Sequence, residues 1–323
     1  MQDSATILEH LKRSGWVPDP IDVIFLAAGE YNENHLVRDS AGREFVFRIN
    51  HGSQLGLDNQ IEYEFNVLRA VAPSGVTPRP FFFTPDPVGI GGGALLMEYL
   101  PGKHLDYYRD RETAADIFSR IHSLPPSDDL IIQANPVLDI ANECRGLLLR
   151  YPDHHLIQER KKLLDYHDEI LLLGNNTAGI FDDETLCIVN TEVNSHNFLI
   201  GEGSSYLVDW EKAVVSYRYQ DLAHFIAPTT TLWKSDYRYS EEEKLLFLKR
   251  YREELGLSAP LEEIREKTRI LERTILLRGL SWCFMACYEY AAGRVLGNHD
   301  TFKKIRFYMN EIDWFLDLPG RMT

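Results

Sequence analysis

Residues 190–211 read NTEVNSHNFLIGEGSSYLVDWE, and they follow the short apolar run CIV at 187–189. CIVN (187–190), NFLI (197–200) and YLVDW (206–210) have the branched and aromatic make-up of strands, and GEGSS between the last two is turn chemistry. The stretch reads as a β-hairpin set within a helical region. That reading places Glu192 on a loop just after a strand, Asn197 five residues later at the start of the next, and Asp209 at the end of the return strand. Three oxygen-bearing side chains are thereby delivered to one small volume. Phosphoryl transfer from a nucleotide needs such a set: a carboxylate to position and deprotonate the acceptor hydroxyl, and oxygen ligands for Mg²⁺ on the phosphates. Glu192 or Asn197 alone would be ordinary surface polarity. The ordered series, with Asp221-Leu222-Ala223 following, favours chemistry.

Working outward, the character of the chain changes near residue 100. Before it, IFLAA (24–28), HLVRD (35–39) and EFVFRIN (44–50) are strand-like, with SAG (40–42) as a hairpin turn. Ile61, Phe65, Leu68 and Ala72 make one apolar helical stripe, stopped by Pro73 and Gly75. FFF (81–83) and ALLMEYL (94–100) follow as two more strands. The glycine cluster Gly89, Gly91, Gly92 and Gly93 precedes a strand and not a helix, so it lacks the helix N-terminus that holds a phosphate and reads as a flexible hairpin turn. After Leu100-Pro101-Gly102 the pattern is helical. Ala114, Ile117, Phe118 and Ile121 form a stripe ended by Pro125-Pro126, and residues 137–174 and 240–318 carry long helical patterns. The expectation is an α+β fold of two unequal lobes. Residues 1–100 would form a small antiparallel-sheet lobe with one helix, and residues 101–323 a larger, mainly helical lobe.

Composition bounds the function. Lys and Arg number 34 against 49 Asp and Glu, a formal charge of −15, which argues against a nucleic-acid surface. No apolar run approaches the ~18–20 residues of a membrane span, and the N-terminus lacks a basic start followed by an apolar stretch. Cys144, Cys187, Cys283 and Cys287 are few and scattered, as in a reducing compartment, so a cytoplasmic protein is expected. Cys283 and Cys287 lie at i,i+4 without zinc-spaced partners and read as core.

The loop, hairpin and downstream DLA resemble the aminoglycoside phosphotransferase and choline-kinase group of small-molecule kinases, whose fold is similar to that of protein kinases. That family reads roughly His-Gly-Asp-x-x-x-x-Asn, a hairpin ending in (I/V)-D-(W/F)-E, then DLA. Here the matching residues are Asn190-Thr191-Glu192…Asn197, Val208-Asp209-Trp210-Glu211 and Asp221-Leu222-Ala223. The resemblance implies Glu192 as catalytic base, Asn197 and Asp209 as Mg²⁺ ligands, and Asp221 as a buried structural carboxylate. It covers most of the chain. LAAGEYNENHLV (26–37), with Gly29, would be the nucleotide-covering loop. Arg48 would hold the phosphates, with Glu64 as its partner, a choice the helical period supports because Glu64 shares the face of Ile61 and Leu68 while Glu62 is turned away. Glu98 and Leu100 would hold the base through backbone groups, and IFSRIHSLP (117–125) matches the family's helix ending in Leu-His-x-Leu-Pro.

Four positions depart from the family: Glu192 replaces Asp, Asn190 replaces His, His196 replaces Gly, and Arg48 replaces the usual Lys, keeping the charge. Glu is one methylene longer, and misplacement on the order of 1 Å can cost on the order of 10²-fold in rate unless the acceptor sits correspondingly further away. The implied activity is transfer of the γ-phosphate of ATP or GTP, with Mg²⁺, to a hydroxyl of a small molecule. The alternatives are a catalytically weak, pseudokinase-like nucleotide-binding module and, with less support, nucleotidyl transfer onto a protein. A cationic acceptor is compatible with the charge balance, and Asp236, Glu241, Glu242 and Glu243 could bind its amine, although an acidic helix start accounts for them as well. Tyr206, Tyr217, Tyr219, Tyr237 and Tyr239 could line the pocket or pack the core. The acceptor site is expected between the catalytic loop and the helices of residues 137–174 and 230–318.

Overall fold

The computed structural model describes residues 2–29, 31–293 and 299–321. It opens with α1 (Ser4–Ser14), then β1 (Pro20–Ala28), β2 (Asn32–Asp39), β3 (Glu44–Asn50), α2 (Gln60–Val71), β4 (Pro80–Thr84) and β5 (Gly93–Glu98). The five strands form one antiparallel sheet in the order β1-β2-β3-β5-β4. Successive strand side chains point to opposite faces, and both faces are covered. Leu95 and Met97 join Ile61, Val67 and Leu68 of α2, whereas Ala94 and Leu96 join Ile7 and Leu11 of α1.

The small lobe therefore carries α1 in addition to the expected α2. Asp3 caps α1 by accepting from the Thr6 N–H, and Gly15 ends it at φ 69°, a conformation that favours glycine. Residues of α1 and just before it also bond to the glycine-rich turn that the sequence reads as a flexible hairpin turn. The Gln2 side chain donates to the carbonyl of Gly89 and accepts from the Gly91 N–H, and Arg13 donates to the carbonyl of Val88.

The rest of the chain runs β6 (Lys103–His104), α3 (Arg111–His122), α4 (Pro136–Leu149), α5 (Ile157–Asn176), β7 (Cys187–Val189), β8 (Phe198–Ile200), β9 (Ser205–Leu207), β10 (Val214–Ser216), α6 (Tyr219–Ile226), α7 (Pro228–Lys234), α8 (Glu241–Leu255), α9 (Leu261–Ala291), α10 (His299–Asn310) and α11 (Ile312–Arg321). The β8–β9 hairpin forms as expected and β6 pairs with β8. CIV does not join it: β7 pairs with β10, so two small sheets flank the loop at 190–197. Pro152, in the segment between α4 and α5, breaks the helical pattern of 137–174. The pattern of 240–318 divides into four helices, and residues 294–298 within it lie outside the described residues. The long helix α9 is the axis of this part, packing against α4, α5, α6 and α10. Cys283 and Cys287 lie in its buried core face. Among the described residues, no helix is long and apolar enough to cross a membrane.

Candidate active site

The loop after β7 is fixed from below by one buried carboxylate. Asp221, in the first turn of α6, accepts from the backbone N–H groups of Asn190 and Thr191, both at 2.8 Å. Its Oδ2 lies 3.3 Å from His122 Nε2 at the end of α3, and His122 Nδ1 lies 2.9 Å from the Tyr251 hydroxyl. Thr191 and Asp209 adopt φ of 68° and 66°, which costs a residue with a side chain on the order of 1–3 kcal/mol each. Hydrogen bonds hold both in place. The Thr191 hydroxyl donates to the carbonyl of Lys212, and the Asn190 amide donates to the carbonyl of Asp209 at 2.8 Å. The Asn190 side-chain oxygen also accepts from the Glu192 N–H at 3.0 Å. Asn190 thus ties Glu192 to Asp209 across the hairpin.

Asp209 sits two residues beyond the end of β9, and its left-handed backbone turns the chain there. The result is a cluster in which Glu192, Asp209 and Glu211 each offer a carboxylate oxygen within 4.8 Å of the others. Asn197 donates its amide nitrogen to the carbonyl of Glu192 at 2.6 Å, which leaves its oxygen as the atom it can offer a cation. Arg48 stands behind Asp209, with Nη1 3.1 Å from its Oδ1, and forms a buried ion pair with Glu64. Sequence reasoning quoted Glu211 but gave it no role. Asn32 on β2 donates to it at 2.6 Å and is itself held by Asn50 on β3.

This concentration of like charge leaves an electrostatic signature. Burial first, then Asp209, Glu192 and Glu64, push the Glu211 carboxyl up to about 8. Burial pushes Glu64 up to about 7 against the pull of Arg48. Burial also raises Glu192, although Lys212 Nζ lies 3.6 Å from its Oε1. Closely set carboxylate oxygens suit a hard divalent cation such as Mg²⁺, which takes oxygen ligands and would relieve this repulsion.

Glu192, Asn197, Asp209, Glu211 and Gly29 line a cavity of about 300 Å³ that continues between α4, α7 and α9. Gly29 donates its N–H to the Asn32 carbonyl at 2.9 Å, closing the β1–β2 turn, and Glu30 beside it lies outside the described residues. Glu98 and Leu100 are not in the cavity wall. Glu98 ends β5 and pairs with Arg79, and Leu100 is buried just beyond. The acidic candidates at the start of α8 also lie elsewhere. Glu243 closes a capping box with Ser240, and Glu241 pairs with Lys244 and Arg265. Glu242 does not line the cavity, and Asp236 lines a separate, adjacent pocket. None of the five candidate tyrosines lines the cavity. Tyr237 and Tyr239 pack with Tyr107, and Tyr219 donates to Glu184.

The family model described as "Phosphotransferase enzyme family" matches residues 22–269. No curated protein matches the sequence. Among solved structures, the Plasmodium vivax ethanolamine kinase is similar with a TM-score of 0.67 at 13% identity, covering 93% of this chain and 83% of that one. A spectinomycin phosphotransferase in complex with ADP and spectinomycin gives 0.60 at 12%, covering 95% and 94%. The Cryptosporidium parvum choline kinase gives 0.59 at 14%, covering 94% and 93%. At these identities the likeness is one of fold.

Proposed function

This chain belongs to the phosphotransferase enzyme family, and from that premise we propose that it moves the γ-phosphate of ATP or GTP to a hydroxyl of a small molecule. The observation that carries this reading is the cluster of Glu192, Asp209 and Glu211 at the cavity floor, with Arg48 behind it. Asp209, Glu211 and the Asn197 oxygen would hold Mg²⁺, whose chemistry is to neutralise phosphate charge. Glu192 accepts the hydroxyl proton as the acceptor oxygen bonds to phosphorus and ADP or GDP leaves. Its raised pKa suits a general base. Lys212 steadies that carboxylate. In this reading residues 1–100 form the nucleotide-holding lobe, with base contacts from the backbone of Glu98 and Leu100, and residues 101–323 supply the base and the acceptor cavity. A cytoplasmic setting supplies both the nucleotide and Mg²⁺.

The test is ATP and GTP turnover over a panel of hydroxylated small molecules. We expect Glu192→Gln to lower kcat on the best acceptor by about 10²–10⁴-fold while Mg-nucleotide still raises Tm. Asp209→Ala should abolish that rise. Wild-type rates from the Gln variant would remove Glu192 as the base. Nucleotide stabilisation with no phosphate on any acceptor would favour the weak nucleotide-binding module, a reading motivated by glutamate standing where the family has aspartate.

A further inference from the structure

The half of the cavity away from the carboxylate cluster has its own chemistry. Its walls come from α4 (Glu143), α7 (Thr229, Thr230) and α9 (Arg278), and Lys212 and His224 line the same cavity. Arg278 Nη1 is buried and has no hydrogen-bond partner among the described residues, and the same holds for the Thr229 and Thr230 hydroxyls and His224 Nδ1. A buried donor left without a partner costs on the order of 1–3 kcal/mol, so such a group in a cavity wall is what a ligand would satisfy.

The charges point the same way. Apart from Asp209 and Glu211 of the cluster, the carboxylates that line the cavity are Glu143 and Glu192, and each already faces a cation: Glu143 lies 3.5 Å from Arg278 Nη2, and Glu192 lies 3.6 Å from Lys212 Nζ. Burial would raise Glu143, yet Arg278 and Lys212 outweigh it and hold the carboxyl below its usual range. Burial first, then the same two cations, press His224 down to about 3, so it faces the cavity as a neutral imidazole. A cationic acceptor would meet two permanent cations here and no unclaimed carboxylate. An anionic one would meet a guanidinium with an unused nitrogen, and guanidinium binds carboxylate as a fork.

We propose that the acceptor is a small hydroxylated acid, whose carboxylate is held by Arg278 with Lys212 nearby, whose further hydroxyls meet Thr229 and Thr230, and whose reacting hydroxyl is thereby turned toward Glu192. The proposal rests on the phosphotransferase reading for the last of these roles, and on the cavity alone for the others.

Two matched sets of probes separate the charge classes on one carbon skeleton: glycerate, glycerol and 3-aminopropane-1,2-diol, then gluconate, glucitol and glucamine. Each is assayed for Mg-ATP-dependent phosphorylation and, without nucleotide, for a rise in Tm. We expect an acid in at least one set to exceed its neutral and cationic counterparts by about 10–100-fold in kcat/KM, the range of a charge-assisted hydrogen bond. Arg278→Gln should erase that preference through KM, and Arg278→Lys should keep part of it. The proposal is overturned if in both sets an amine or polyol equals or betters its acid, if no acid registers in either assay, or if the Gln variant keeps the preference. An acid that raises Tm while Mg-ATP does not would leave this proposal standing and remove the phosphotransferase reading.

Discussion

Asp221 and His224, one helical turn apart on α6, act on the site in different ways. Asp221 is fully buried and is the acceptor for two consecutive backbone N–H groups. Asp221→Ala would strand both donors, each costing about 1–3 kcal/mol, so urea unfolding should show a loss of several kcal/mol. Asp221→Asn keeps an acceptor oxygen and should lose less; equal stability of the Ala variant would refute the role. His224 is held neutral in the fold with a pKa of about 3, below its ordinary 6.5. The unfolded chain therefore takes up a proton first on acidification, and this contribution to stability is complete above pH 6.5 and drains away toward pH 3. His224→Gln should lose less Tm than wild type between pH 7 and pH 5. At this scale much of the candidate site could be picked out, because Glu192, Asn197 and Asp209 lie in one short stretch, while the Arg48–Glu64 pair came from the family resemblance, with helical period favouring Glu64 over Glu62. Glu211, Lys212 and Arg278 were not assigned. Their placement at the cavity depends on where the left-handed turn at Asp209 sends the chain and on how α9, far along the sequence, lies against α4 and α7.

Between elements, the position of α9 determines the cavity, and a glycine sets its distance from α7. A β-carbon on Gly279 would stand 2.9 Å from the Thr229 β-carbon, closer than such atoms approach. Gly279→Ala must push α7 and α9 apart or displace Thr229, at a cost of about 1–3 kcal/mol. Because Thr229 lines the part of the cavity proposed to hold the acceptor, the KM for the acceptor should rise several-fold while the Tm gain from Mg-nucleotide is unchanged. A variant with a wild-type acceptor KM would show that this contact does not shape the pocket. Element pairing was the least legible level. Three-residue strands such as β7 and β10 carry too little pattern to choose partners, and β10 lies beyond the hairpin in the sequence. The cap residues of α1, Asp3 and Gly15, were readable signals. What was hidden was the need for the helix, which arises because the strands bury both faces of the sheet.

For the whole molecule, two unequal lobes were expected from the change of pattern near residue 100, yet their interior is shared. Ile61, Val67 and Leu68 of α2 lie in the same buried cluster as Phe118, Trp210 and Phe225. Polar ties reinforce the joint: the Tyr63 hydroxyl donates to the carbonyl of Ala213 at 2.6 Å, and the Gln60 amide donates to the carbonyl of Glu211 at 2.7 Å. The net charge of −15 gives no hint of this joint or of the cations in the cavity, since a sum over the chain is blind to where charges sit. Removing residues 1–100 would expose the apolar face that α2 covers, so residues 101–323 alone should not fold cooperatively. In the intact chain the lobes should unfold together. Trp16 stacks on Phe82 in the small lobe, and the other four tryptophans lie after residue 101. The fluorescence difference between wild type and Trp16→Phe therefore reports the small lobe, while far-UV circular dichroism follows the helices. Coincident urea midpoints are expected, as for a single cooperative unit. A Trp16 transition at clearly lower urea, with helical signal intact, would mean that the small lobe opens by itself and that the shared cluster contributes little to its stability.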